Sequence, residues 1–136
     1  MENQGNELTL FTGASNRVFC SKVAKNDTEK KELFNALESC DVLLNDCVGQ
    51  EIEMKDLYIE EKNIVDENGE QKIKYRTIIF DANGQTYATG SYGIYNVLKK
   101  IITIYGLPNT WETPLKVKVA KRAIGNGKQS LTLQLI

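Results

Sequence analysis

Residues 71–89, QKIKYRTIIFDANGQTYAT, decide how this chain folds. In the first half, Ile73, Tyr75, Thr77 and Ile79 share one face, while Lys72, Lys74 and Arg76 share the other. That period of two is the mark of a half-buried strand. Residues 85–89 read as a second strand, and Asn83-Gly84 lies between the two. Asn-Gly accepts the positive φ angles of a tight turn, so the whole stretch reads as a β-hairpin. The dipeptide recurs at Asn68-Gly69 and Asn126-Gly127, each time between strand-like runs.

Upstream of the hairpin, Glu51–Val65 reads as one long strand. Ile52 and Met54 lie on one face; Leu57 and Ile59 continue the pattern one residue out of phase. A β-bulge near Lys55-Asp56 would restore the register. A long, bent strand of this kind pairs with two neighbours when a small barrel curls. Tyr58 is then expected to point outward.

Downstream, Ser91 is placed to cap a helix that runs to Tyr105. Ile94, Leu98, Ile101 and Tyr105 form its expected buried stripe; Asn96, Lys99, Lys100 and Thr103 face water. Gly106 and Pro108 end it. Residues 114–123 alternate, with Leu115, Val117 and Val119 inward and Lys116, Lys118 and Arg122 outward. The last strand points Leu131, Leu133 and Leu135 inward. The order strand, strand, strand, helix, strand, strand is that of the OB-fold, a mainly β, five-stranded barrel that commonly binds oligonucleotides or oligosaccharides.

Residues 1–50 read as an amino-terminal extension to this barrel, with short strands at residues 8–11 and 17–20. A short helix is expected over residues 28–39, capped by Thr28 and carrying Leu33, Phe34 and Leu37 as an apolar stripe. Residues 41–49 read as a loop. At 136 residues the chain is expected to form a single domain, the extension plus a barrel over residues 51–136. No apolar run approaches a membrane span, and residues 1–6 lack a signal-peptide core, so a cytoplasmic location is expected.

Composition removes several chemistries. There is no histidine, and hence neither the commonest general base nor the commonest zinc ligand. Cys20, Cys40 and Cys47 match no usual metal spacing and read as reduced core thiols. Gly90-Ser91-Tyr92-Gly93 lacks the spacing of a phosphate loop. Glu60-Glu61 sits in an acidic stretch and reads as solvated. The chain is therefore expected to be neither an enzyme nor a cofactor or metal carrier.

Charge points elsewhere. The chain is nearly neutral, yet residues 1–70 hold 7 basic and 16 acidic residues, and residues 71–136 hold 10 basic and 2 acidic. Basic side chains beside exposed rings are what single-stranded nucleic acid needs: cations follow the phosphates and rings stack on bases. The basic candidates are Lys72, Lys74, Arg76, Lys116, Lys118, Lys121, Arg122 and Lys128. The aromatic candidates are Tyr58, Tyr75, Phe80 and Tyr87. A β-grasp-like protein-interaction module, whose acidic amino half meets a basic partner, fits the same composition. An oligosaccharide-binding barrel would need exposed tryptophan, and the one tryptophan, Trp111, falls in a helix-to-strand loop.

Ile79-Phe80-Asp81-Ala82-Asn83-Gly84-Gln85-Thr86-Tyr87 resembles a segment of the single-stranded DNA-binding proteins of phages that replicate linear DNA by protein priming. The final strands, with Leu115–Val119 leading to Leu131–Leu135 through a Gly-rich turn bearing Lys128, are similar to that family's last hairpin. The resemblance covers residues 50–136. It implies an OB-type barrel that coats displaced single strands during replication in the host cytoplasm. Self-association along the strand is a separate expectation. The resemblance also implies that Tyr87 stacks on DNA, with Tyr58 as a second stacking ring. Plasmid-encoded OB-type binders are an alternative source. The amino-terminal extension departs from the family pattern.

Overall fold

A computed structural model describes residues 16–136; the strand expected at residues 8–11 lies outside them. The chain folds in the order β1 (Asn16–Cys20), α1 (Asp27–Glu38), β2 (Val42–Leu43), β3 (Glu51–Val65), β4 (Gln71–Asp81), β5 (Thr86–Thr89), α2 (Tyr92–Tyr105), β6 (Leu115–Gly125) and β7 (Lys128–Leu135). All seven strands join one strongly curled half-barrel sheet. The order across it is β2-β5-β4-β3-β6-β7, with β1 also on β3. The expected OB-like fold is present: β3 pairs with β4 and β6, β4 with β5, and β6 with β7.

The half-barrel carries two additions to the five-strand plan. The stretch expected as a loop contains β2, which pairs in parallel with β5, and a 3-10 turn that sends Leu44 and Cys47 into the core. β1 takes the part of β3 that β6 leaves free. Among the described residues β5 and β7 do not pair. Helix α2 fills the gap between them: Ile94, Leu98 and Ile101 meet Tyr87, Leu131 and Leu133 in the core cluster.

The expected bulge is real. The β3–β4 register shifts between Met54 and Asp56, so Met54 and Leu57 are both fully buried. Ser21 seals the kink. Its Oγ accepts from Leu57 N (2.9 Å) and donates to Asp56 Oδ1 (2.9 Å), while Ser21 N donates to Leu57 O (2.9 Å). The backbone that the bulge frees is thereby satisfied inside the protein.

The three Asn-Gly turns are of two kinds. In Asp66-Glu67-Asn68-Gly69 and Asp81-Ala82-Asn83-Gly84 only the glycine has positive φ. In each, the leading aspartate accepts two backbone N–H bonds, from Asn68 and Glu70 (both 2.9 Å), and from Asn83 (2.8 Å) and Gln85 (2.9 Å). The aspartate thus organises these turns, as Asx side chains do. Only Asn126-Gly127 places both residues at positive φ, the two-residue geometry that favours Asn-Gly.

The helices depart from expectation at their edges. Asn26, not Thr28, caps α1: its Oδ1 accepts from Glu29 N (2.8 Å), and Glu29 Oε1 accepts from Lys25 N (2.8 Å). The Asn26 side chain thus satisfies a free N–H of the first turn, as a cap must. Its apolar stripe packs loosely. No α1 residue is fully buried, and Phe34 is exposed. On α2, Ser91 caps as expected, accepting from Ile94 N (3.3 Å). Tyr105 is exposed instead of buried, because it falls in the last turn, just before Gly106 ends the helix. Leu135 is likewise exposed, and Cys40 is half-buried while Cys20 and Cys47 are buried.

Tyr87 belongs to the core. Its ring is 7% exposed and its hydroxyl donates to Asp81 Oδ2 (3.0 Å). It pairs with Ile79 on β4, not with the Tyr58 strand, and Ile79 in turn faces Leu57. Burial, and then the hydrogen bond to the Asp81 carboxylate, push its phenol from the usual 10 up to about 12.

Two outcomes follow. A Cβ on Gly93 would collide with Ser130 Oγ and lie 2.5 Å from the Leu131 carbonyl. Gly93→Ala is therefore expected to lift α2 off β7 and cost about 1–3 kcal/mol in denaturant unfolding, as overpacking does; an unchanged midpoint would refute this account of how α2 sits on β7. Tyr87→Ala is expected to cost about 3–5 kcal/mol. Because the folded phenol ionises later than the unfolded one, its contribution is complete below pH 10 and disappears as pH rises toward 12. Tyr87→Phe should flatten that alkaline decline in thermal melts.

Candidate nucleic-acid interface

On the concave side of the sheet, just beyond the core, three strands bring one residue each into a row. Arg17 on β1 faces Glu61 on β3, and Glu61 faces Tyr75 on β4. Helix α2 lies over this row because Ile94, Leu98 and Ile101 anchor it in the core. Its first turns then deliver Tyr92 and Tyr95. The Tyr75 and Tyr95 ring centres are 4.1 Å apart at 31°, and Tyr75 and Tyr92 are 5.3 Å apart at 43°. Tyr92 is 57% exposed.

Cations surround the rings. Lys99 Nζ lies 5.3 Å from the Tyr95 ring centre, a cation–π contact. Ile73, Lys74, Tyr75, Gly90 and Tyr92 line one cleft. A second cleft continues from Tyr92 past Asn96 and Lys100 to Arg122 and Ile124. A third, about 360 Å³, runs from Tyr95 and Lys99 past Arg17 to Phe19 and Ile59. The first two share Tyr92, and the third meets the first at the tilted Tyr75–Tyr95 pair, so the three form one band along α2.

Glu61 is not the solvated carboxylate that its acidic neighbourhood suggests. Its side chain is 16% exposed. Oε1 accepts from Arg17 Nε (3.0 Å) and the second guanidinium nitrogen (2.6 Å), and Oε2 accepts from the Tyr95 hydroxyl. Burial opposes its ionisation, but the bonds from Tyr95 and Arg17 outweigh burial and hold it below the usual carboxylate range. The Tyr95 phenol is pushed upward, by burial and by the same hydrogen bond.

The residues singled out from sequence divide by location. Tyr75, Lys74 and Arg122 lie on the α2 band. Tyr58 and Arg76 are on the opposite face, beneath α1, where they line an apolar groove with Leu33, Phe34 and Leu37. Burial and the neighbouring Glu60 push the Tyr58 phenol up to about 12. Arg76 donates to the Leu37 carbonyl (2.8 Å) and so fastens the end of α1. Lys72 pairs with Asp66 at 3.3 Å in the first hairpin. Lys116 lies 4.0 Å from Glu51 Oε1, and Lys116 and Lys118 face Glu53 and Glu51 across β3. Lys121 and Lys128 are exposed on the β6–β7 hairpin. Phe80 is buried under Lys22. Trp111 is half-buried, its indole donating to the Gly106 carbonyl (2.9 Å), so it locks the loop and offers no open platform.

Arg17, Tyr92, Tyr95 and Lys99 are members of the band that sequence reasoning missed. Tyr92, Tyr95 and Lys99 follow helical spacing, three and four apart, and that signal was present on one face of α2. Arg17 and Glu61 are 44 residues apart, and no local pattern connects them.

Stacked, partly exposed rings edged with lysine and arginine on an OB-like sheet are the features that single-stranded nucleic acid requires. Among the described residues there is no His/Cys/Asp/Glu group that could hold a metal ion, and no helix is long and apolar enough to cross a membrane. No curated protein and no solved structure matches the chain significantly. A family model described as phage single-stranded DNA-binding protein, of the phi29 type, matches residues 12–136. The chain belongs to that family of phage single-stranded DNA-binding proteins.

Proposed function

We propose that this protein coats displaced single strands during phage DNA replication, without sequence preference and without catalysis, and that the α2 band is where the strand lies. The observation that carries this reading is the Tyr75–Tyr92–Tyr95 cluster with Lys74, Lys99, Lys100 and Arg122 around it. Every base has a π-face, so rings accept any sequence, while the cations follow the backbone. Contacts of this kind read no base edges, which suits a protein that must cover whatever strand is exposed. Tyr87 supports the band from within the core and does not itself stack. The site of action is the host cytoplasm, and neighbouring copies line up along the strand.

A titration with single-stranded and duplex DNA of equal length tests the reading. Single strands are expected to bind more tightly, because stacking needs unpaired bases. Tyr92→Ala should weaken single-strand affinity by about 1–3 kcal/mol while the melting temperature stays near that of the unaltered protein. Duplex binding as tight as single-strand binding would overturn the proposal. The electrostatic part has its own readout. Replacing Lys100 and Arg122 with Ala should lower the salt slope of binding by about 0.7 for each phosphate no longer neutralised. Ala at Lys116 and Lys118, which face Glu53 and Glu51, should leave that slope nearly unchanged.

A further inference from the structure

One acidic side chain stands inside the basic band. Glu61 lies in register with Tyr75 and Arg17, beside Lys99, in the path proposed for phosphates. A carboxylate there repels the ligand, so its presence calls for a compensating task. Its bonds name one. Both oxygens are engaged, one by the Arg17 guanidinium and the other by the Tyr95 hydroxyl. Tyr95 in turn lies against Tyr75, which touches Tyr92. One carboxylate therefore fixes the ring at the root of the whole aromatic series.

We infer that Glu61 is a positioning residue: it holds Tyr95 against Tyr75 so that the rings are set before the strand arrives, and it keeps Arg17 away from phosphate. The inference rests on the single-strand reading of the α2 band. A ring already fixed loses less freedom when a base stacks on it, which is how preorganisation raises affinity. Holding Arg17 has a second effect. The guanidinium reaches the band but is neutralised by Glu61, whose Oε1 takes two of its N–H groups, so in the resting protein it holds no phosphate. As a device for stability alone the pair is poorly placed, since the Arg17 side chain is 66% exposed and exposed ion pairs contribute little.

The two tasks separate in a salt titration of single-stranded DNA binding. Glu61→Gln keeps the shape and removes the charge. It is expected to weaken affinity at high salt by about fivefold, the low end of one stacked base, as the Tyr95 ring loosens. It is also expected to steepen the salt slope by about 0.7, as Arg17 takes up one phosphate. Adding Arg17→Ala to that variant should return the slope to the original value. Tyr95→Phe, which keeps the ring and the Arg17–Glu61 pair, should reproduce the high-salt loss with no change in slope. A merely structural role would not move the slope. If Glu61→Gln and Tyr95→Phe both bind as the unaltered protein does, while Tyr92→Ala weakens binding, the positioning role is wrong and the band stands. If the unaltered protein shows no preference for single strands, both fall.

Discussion

The kink in β3 at Lys55 is the constraint on which the rest of the structure depends. β3 is hydrogen-bonded on both edges, to β4 along most of its length and to β6 and then β1 on the other side. A straight strand with that pattern would turn Leu57, Ile59 and Glu61 away from the side that holds Ile52 and Met54. The register shift keeps all five on the concave side, the first four in the core. It also bends the strand, and bending lets one sheet curl around a single core. Ser21 and Asp56 complete the bulge with their own hydrogen bonds. The row that carries Arg17, Glu61 and Tyr75 is a consequence of this register, since a slip of one residue would move all three to the α1 side.

The half-barrel leaves a gap, and the gap creates the interface. Because β5 and β7 stay apart, α2 enters between them with its apolar face inward. Close approach at Gly93 sets its height over β7. The polar face of the same helix then stands beside the concave rim of the sheet, where Tyr92, Tyr95, Lys99 and Lys100 meet Tyr75 and Arg122. In this protein the helix both plugs the barrel and supplies half of the surface proposed for DNA. The other face of the sheet has a different partner. Arg76 and Tyr58 lie there beneath α1, whose end Arg76 fastens through the Leu37 carbonyl.

Much of this was legible in the residues. The alternation over residues 71–79, the phase slip between Met54 and Leu57, the Ser91 cap and the Gly106 stop all depend on near neighbours, so the strand order, the bulge and α2 could be read directly. Tyr75, Lys74 and Arg122, singled out by strand parity and charge, lie on the band. Tyr87, which the family resemblance pointed to as a stacking ring, is instead buried: its strand is only four residues long and the inward phase is set by pairing with Ile79. Lys116 and Lys118 do point outward as expected, but the residues opposite them on β3 are acidic.

By itself the sequence determined the OB-like order of elements, the membership in a phage single-stranded DNA-binding family, and the concentration of positive charge in the second half. These rest on local periodicity, turn chemistry and composition, each of which is written within a few residues or summed over many. Only the tertiary structure decided which rings are free and which are buried, that the barrel stays open with α2 in the opening, and that Arg17, Glu61 and Tyr95 form one cluster. Those outcomes depend on strand register and on contacts between residues 34 to 44 positions apart, where hydrophobic burial sets the pairing and the polar groups then take the partners it leaves them.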